Sequence, residues 1–314
     1  MLSILIAKIF FHLRYQIFLL LLAHPLIHGR TTVVGYLPHY RSELISVLPY
    51  ELFTDIVYFS VEPKEDGSLV PLWTNLFPLT NLISMARPKG VKVHVCVGGW
   101  GLSSGFAHLA ASSRSREVFA GNLTAFLKNH SLDGVDIDWE HPKTEKEILN
   151  FHKLLVDLKK SFRPHGFSLS VAVAARGNYF KRNSIPFVDR VHVMSYDKGV
   201  PHSSYAGMVN DMKHWEKIVP KNKLVAGLPF YGRNKSGKAL SFRNISSRFK
   251  PSPDSDLAGG YHFNSPKTIV KKAEYIYSQK YAGVMIWELG QDSEDYTLLK
   301  SIQNAIPSQN QPSR

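Results

Sequence analysis

Short apolar runs rich in Val and Ile recur along the chain at 32–37, 55–61, 91–97, 134–139, 168–174, 190–196, 224–230 and 282–287. Between them lie segments with helical periodicity, at 76–86, 114–129, 145–162, 208–219, 265–280 and, after the last run, 293–305. A strand that is apolar on both faces has to be covered on both faces, and alternation with helices supplies that cover only in a parallel sheet. Eight strand-helix units predict a closed (β/α)8 TIM barrel in the α/β class, forming one domain over residues 30–306. Residues 175–188 are too few for a full helix. The segment from Asn234 to Asn264, with Pro251, Pro253, Gly259 and Gly260, reads as a loop of about 30 residues without periodicity, a length that usually marks function or disorder.

Composition bounds the surroundings of that domain. A hydrophobic fraction of 44% and a charged fraction of 20% leave no room for long disorder beyond the polar tail 307–314. Residues 1–29 have Lys8 and Arg14 ahead of the apolar stretch 17–27, which resembles a secretory signal peptide. A membrane anchor needs around 20 uninterrupted apolar residues, and His12, Arg14 and Gln16 interrupt this one. We therefore expect a secreted, extracellular protein, without membrane association after signal removal and monomeric. Four sequons, at Asn122, Asn129, Asn234 and Asn244, are compatible with that route. The single cysteine, Cys96, rules out an intrachain disulfide. The net charge of +13 is spread over scattered residues, with Lys159-Lys160 and Lys271-Lys272 placed on helix surfaces. This reads as solvated basic surface, and no nucleic-acid partner is expected. His141, His192, His202 and His262 are isolated in sequence, so no metal site is expected. No Gly-rich loop followed by Lys is present, and no cofactor is expected.

The polar exceptions in the apolar runs fall at their C-terminal ends, which in a barrel converge on one mouth. They are Asp136 to Glu140, Tyr196-Asp197, Tyr231 with Arg233, and Trp287-Glu288. In Leu132-Asp133-Gly134-Val135-Asp136-Ile137-Asp138-Trp139-Glu140 the three acids alternate, so they share one strand face while Val135, Ile137 and Trp139 take the other. Their α-carbons are then roughly 6.5–7 Å apart. Carboxylates that crowd on a buried face lose solvation and repel one another, so at least one holds a proton near neutrality, as a general acid must. A solvated acidic edge strand is the alternative, but the apolar set opposite and Gly134, which permits close approach, argue against it.

This segment resembles the signature of glycoside hydrolase family 18, the chitinase family. Val97-Gly98-Gly99-Trp100, Met194-Ser195-Tyr196-Asp197, Gly227-Leu228-Pro229-Phe230-Tyr231-Gly232-Arg233 and Gly283-Val284-Met285-Ile286-Trp287 are similar to its other motifs, in the right order. The resemblance implies cleavage of β-1,4 bonds between N-acetylglucosamine units by substrate-assisted, retaining catalysis. Glu140 would be the acid and Asp138 the residue that orients the acetamido group. Asp136 would share a proton with Asp138, and Tyr196 would bond the acetamido oxygen. Trp287 would form the floor under the reacting sugar. Asp197, Tyr231, Arg233, Met194, Trp100 and Tyr36 would line the substrate path. Chitin or a chitooligosaccharide is the expected partner. Two positions depart from the pattern: Cys96 stands in a usual serine position, and Ser60 where an aromatic commonly ends the second strand, with Phe59 or Glu62 as compensating neighbours. The intact acid argues against a chitin- or glycan-binding lectin, and the full acidic triplet against an endo-β-N-acetylglucosaminidase acting on N-glycans. The short seventh loop is too small for the α+β insertion of tunnel-forming relatives, which implies an open cleft and endo action.

Overall fold

The computed structural model describes residues 31–306, so the expected signal peptide at 1–29 and the tail at 307–314 lie outside the described residues. Eight parallel strands close into a barrel: β1 (Thr32–Pro38), β2 (Asp55–Pro63), β3 (Lys92–Gly98), β4 (Gly134–Asp138), β5 (Ser168–Ala174), β6 (Arg190–Met194), β7 (Leu224–Pro229) and β8 (Gly283–Trp287). Each pairs with its sequence neighbour, and β1 closes the ring by pairing with both β2 and β8. The expected fold is the observed one. Two antiparallel additions flank it, Leu69–Pro71 beside β2 and a small four-stranded sheet after β7.

Five of the eight α-helices among the described residues begin at a Ser or Thr whose side chain caps them. Helix α1 (Phe77–Ala86) follows β2; α2 (Phe106–Ala111), not anticipated from the sequence, and α3 (Ser113–Asn129) follow β3. Helix α4 (Glu145–Phe162) starts with a capping box between Thr144 and Glu147 that satisfies backbone donors on both sides. The short fifth unit is the 3-10 helix Arg182–Phe187, interrupted by Pro186. Helix α5 (Tyr205–Trp215) begins earlier than the apolar pattern suggested because Ser204 caps it, and it ends earlier, at Trp215.

Residues 234–264 are not a featureless loop. They fold into Ala239–Ser241, helix α6 (Phe242–Phe249), Leu257–Ala258 and Tyr261–His262, which build the small sheet together with Tyr231–Asn234. Strands of two or three residues are too short to display a period, which is why the pattern was silent. Helix α7 (Pro266–Ser278) corrects a second expectation. Its inner stripe is Ile269, Lys272, Ala273 and Ile276, so Lys272 is buried rather than on the surface. Its Nζ donates to the carbonyl of Ser203 (2.7 Å) and to Ser203 Oγ (2.9 Å). Burial lowers its pKa to about 7. Helix α8 (Thr297–Ala305) closes the described chain.

Two apolar layers result. The larger lies between strands and helices and includes Ile56, Val135, Ile137, Leu154, Val193 and Ile286. The smaller fills the barrel, with Val34, Tyr36, Val57, Phe59, Cys96, Val225 and Met285. Gly134 opens β4 where the strands come closest, since a Cβ there would lie 2.2 Å from Ser168 Oγ and 2.3 Å from the Ser168 carbonyl oxygen. Gly134→Ala must therefore push β4 from β5 and should cost about 1–3 kcal/mol of stability. Gly121→Ala, in exposed α3 with nothing within 4 Å of the added carbon, should instead stabilise by up to about 1 kcal/mol. Denaturant unfolding of both variants checks the pair, and similar midpoints for the two would contradict this packing.

Candidate active site

The acidic strand stands as the alternation requires. Asp136 and Asp138 face the barrel interior and are buried, while Trp139 packs outward, stacked on Phe106 at 5.3 Å and edge-on to Phe151 at 5.6 Å. The strand ends at Asp138 because its carbonyl turns to the next loop, accepting from Gly99 N (2.8 Å) and Ser103 Oγ (3.0 Å). Gly98 makes that approach possible, with φ +97° and no room for a side chain, since a Cβ would lie 2.4 Å from the Asp138 oxygen. Ser103 Oγ also accepts from Glu140 N (3.0 Å), which fixes the acid just above the strand end.

The three carboxyls receive different treatment. Asp136 accepts from Tyr36 OH (2.7 Å) and Ser170 Oγ (2.5 Å), and His192 Nδ1 lies 3.2 Å away. Burial alone would raise its pKa, but His192, Ser170 and Tyr36 together hold it below the usual range. Asp138 has no such help: its Oδ1 is buried without a partner among the described residues. Burial, then Glu140 and Asp136, push its pKa well above the ordinary carboxylate value. Glu140 is raised to about 7, by burial first and then by Asp197.

Above this row opens a cavity of about 1550 Å³ whose lining includes Asp138, Glu140, Tyr196, Asp197, Tyr231 and Trp287. Chain direction changes where β6 ends at Met194: Tyr196 N bonds the Met194 carbonyl (2.8 Å) and Asp197 takes φ +60°. That turn brings the Tyr196 hydroxyl to the cavity, where among the described residues it approaches only Met285 Sδ, at 4.0 Å, leaving its proton for a ligand acceptor. Trp287 lines the floor, wedged edge-on against Phe59 (5.0 Å) and Tyr36 (5.9 Å). Phe59 thus supplies the aromatic surface that position 60 lacks, while Ser60 turns inward to bond the Gly98 carbonyl (2.6 Å). Cys96 is buried beside Asp136 in the strand register.

Every site residue expected from the sequence borders this cavity except Asp136, which lies beneath it. Some have other partners than expected. Arg233 and Asp197 grip each other through two bonds of 2.5 and 2.7 Å, which hold Asp197 ionised, and Tyr231 lies beside them. Tyr36 uses its hydroxyl below the cavity, between Asp136 and His192 (2.8 Å). Met194 lines the wall, and Trp100 stands 81% exposed at the rim.

The histidines are not isolated in space. His192 supports Asp136, His202 joins Asp197 (3.2 Å) to the Tyr231 carbonyl (3.1 Å), and His141 bonds Tyr179 (3.0 Å). No cluster of three or more metal-type ligands occurs among the described residues. The alternation of Arg190, His192 and Met194 on one face of β6 was the available signal for His192. Ser170 and Tyr179 carried none. Glu288, another buried acid, accepts from Tyr40 OH (2.5 Å) and Arg41 Nε (3.1 Å) at the far side of the mouth.

Residues 32–292 match the family model described as glycosyl hydrolases family 18. The chain is 29% identical to an endochitinase of Manduca sexta over 76% of its own length and 51% of that protein. It is 26% identical to a probable chitinase 10 of Drosophila melanogaster, over 82% of its own length but 15% of that protein. The chain therefore spans about half or less of these relatives. Among solved structures, a family 18 chitinase of Flavobacterium johnsoniae aligns with TM-score 0.78 and 27% identity, over 88% of this chain and 93% of that one. A chitinase of Bacteroides thetaiotaomicron shares the fold with TM-score 0.83 at 24% identity, covering 91% and 99% of the two chains. With the acidic strand, the cavity and the family match in agreement, this chain belongs to glycosyl hydrolases family 18.

Proposed function

We propose that the protein is a secreted chitinase that hydrolyses β-1,4 bonds between N-acetylglucosamine units with retention of configuration. The observation that carries this reading is Glu140, an intact acid with its pKa raised to about 7 beside the buried Asp138. A group poised there is competent both to give and to take a proton near neutral pH.

The steps follow from the groups at hand. Glu140 gives its proton to the glycosidic oxygen as the bond to the anomeric carbon breaks, and the substrate's own acetamido oxygen bonds to that carbon to give an oxazolinium ion. Tyr196 donates to the acetamido group and holds it in line. In the resting site Asp138 favours its protonated form, but a cation beside it favours the ionised one. Glu140, now a carboxylate, then takes a proton from water as the water oxygen attacks the anomeric carbon from the side the leaving group vacated and the bond to the acetamido oxygen breaks, restoring the acetamide. Two inversions give net retention. Trp287 supplies a flat apolar surface suited to the C–H face of a pyranose.

Endo action is favoured because the segment after β7 forms only a small sheet and a short helix rather than a larger insertion. Secretion rests on the composition of residues 1–29. A lectin of the same fold is disfavoured by the intact acid.

Glu140→Gln should lower turnover of a fluorogenic chitotriose conjugate by at least roughly 10²- to 10⁴-fold. Near-wild-type turnover would end the assignment. Binding of chitooligosaccharide by the wild type without cleavage would move the protein to the lectins, and preferential cleavage of an N-linked glycopeptide to the N-glycan hydrolases. On long soluble oligosaccharides, products of mixed length should appear first, and dimers alone from the outset would rule out endo action.

A pH effect on stability should accompany the activity. A carboxyl whose folded pKa is raised from 4.5 to about 7 binds its proton more tightly when folded, so its contribution is fully present at low pH and lost as pH rises through that window. Glu140→Gln escapes this loss. It should match wild type at pH 4.5 and exceed it by about 1–3 kcal/mol above pH 7. Calorimetry at the two pH values checks it, and a variant less stable than wild type at pH 8 would contradict the buried-acid picture.

A further inference from the structure

The residue after the acid is a histidine whose ring is held from behind. Tyr179, in the loop after β5, stacks on His141 with ring centres 5.2 Å apart and an interplanar angle of 27°. Its hydroxyl accepts from Ala174 N (2.6 Å) and lies 3.0 Å from His141 Nδ1. The phenol carries one proton, and among the described residues His141 Nδ1 is the acceptor within reach of it. With Nδ1 as the acceptor of the phenol proton, the imidazole proton sits on Nε2; the Trp139 carbonyl also faces this ring. That nitrogen is 3.7 Å from Glu140 Oε2. This is just beyond a hydrogen bond, in the range where a site without substrate tightens on binding.

We propose that His141 is a positioning residue for the acid: Tyr179 fixes the Nε2–H tautomer, and that N–H meets the carboxylate form of Glu140 once it has given its proton away. The inference rests on the hydrolase reading of the site and adds to it a device for stabilising the base that the second half-reaction needs. The other charged or titratable groups around His141 are Asp138 on β4, Lys143 on its own loop, and Arg176 and Tyr179 on the loop after β5. Arg176 leans on Asp211 (3.5 Å), and exposed Lys143 makes no ion pair with Glu140 among the described residues, so the imidazole is the donor beside Glu140. Burial lowers the His141 pKa, so the ring works as a neutral donor above its titration range.

A neutral donor favours the charged form of the acid, so removing it should raise the upper pKa of the kcat/KM profile. His141→Phe should move that limb up by about 0.5–1 pH unit. His141→Gln, which keeps an N–H donor, should return most of the shift, and Tyr179→Phe, which frees the tautomer, should give an intermediate one. Nitrogen-15 spectra of the imidazole should show Nε2 protonated in the wild type and a mixture in Tyr179→Phe. An unchanged upper limb in His141→Phe, or an imidazole protonated on Nδ1, would overturn the proposal. Should the wild type cleave no chitooligosaccharide, the hydrolase reading fails by itself. The carbon-13 titration of the Glu140 carboxyl, assigned by its loss in Glu140→Gln, still decides the present inference when wild type and His141→Phe are compared.

Discussion

Satisfying Asp136 is the constraint on which the rest of the site depends. Its donors come from β1 (Tyr36), β5 (Ser170) and β6 (His192), which meet only because the sheet is closed into a barrel. With that carboxylate ionised and immobile, the negative charge one layer below falls on Asp138, which has a buried oxygen without partner and no cation to turn to. Deep burial of an unpaired charge is costly, and a side chain escapes the cost by holding its proton. The protonation of the carboxyls at the mouth is thus tied to three side chains that hold Asp136 in place.

The division between what the sequence revealed and what it hid follows the range of the interactions. Period-two alternation located Asp136, Asp138 and Glu140 on one face, and the polar ends of the apolar runs gathered Tyr196, Asp197, Tyr231, Arg233 and Trp287 at one mouth, because both are local signals multiplied by a known topology. Partner choice is not local. That Arg233 binds Asp197, that Tyr36 spends its hydroxyl on Asp136, and that His141 leans on Tyr179 depend on angles between strands and loops that no periodicity carries. Position 60 is instructive. Read alone, Ser60 looked like a gap in the aromatic wall, yet Phe59 occupies the wall and Ser60 bonds a backbone carbonyl, so one position of register separates a defect from a working arrangement.

The same limits explain Lys272. Charge argued for the surface, whereas the helical period through Ile269, Ala273 and Ile276 placed it inward, and the period prevailed. The burial is tolerable because the Ser203 carbonyl and hydroxyl receive the amine. Ser203 also anchors Asn264 Nδ2 (3.0 Å) through its carbonyl, so helix α7 and the small sheet after β7 are tied to the loop after β6, the loop that carries Tyr196 and Asp197. A residue outside the cavity lining thereby helps to hold two of its walls in register.

The two ends of the barrel use similar residues to opposite effect. At the N-terminal end Asp55 is buried between His94 (2.8 Å) and Arg190 (3.0 Å), which overcome desolvation and hold its carboxyl far below the ordinary range. At the C-terminal end Arg233, a guanidinium at the cavity wall, is engaged by Asp197, so it does not neutralise Asp138 or Glu140. Ionised Asp197 instead adds negative potential that lifts Glu140 toward neutrality. Withholding a cation costs stability at that end, and the gain is an acid that titrates where it is needed. One end of the barrel therefore holds its carboxyl ionised and the other keeps carboxyls that hold protons, at the face whose loops carry the chemistry under the proposed function.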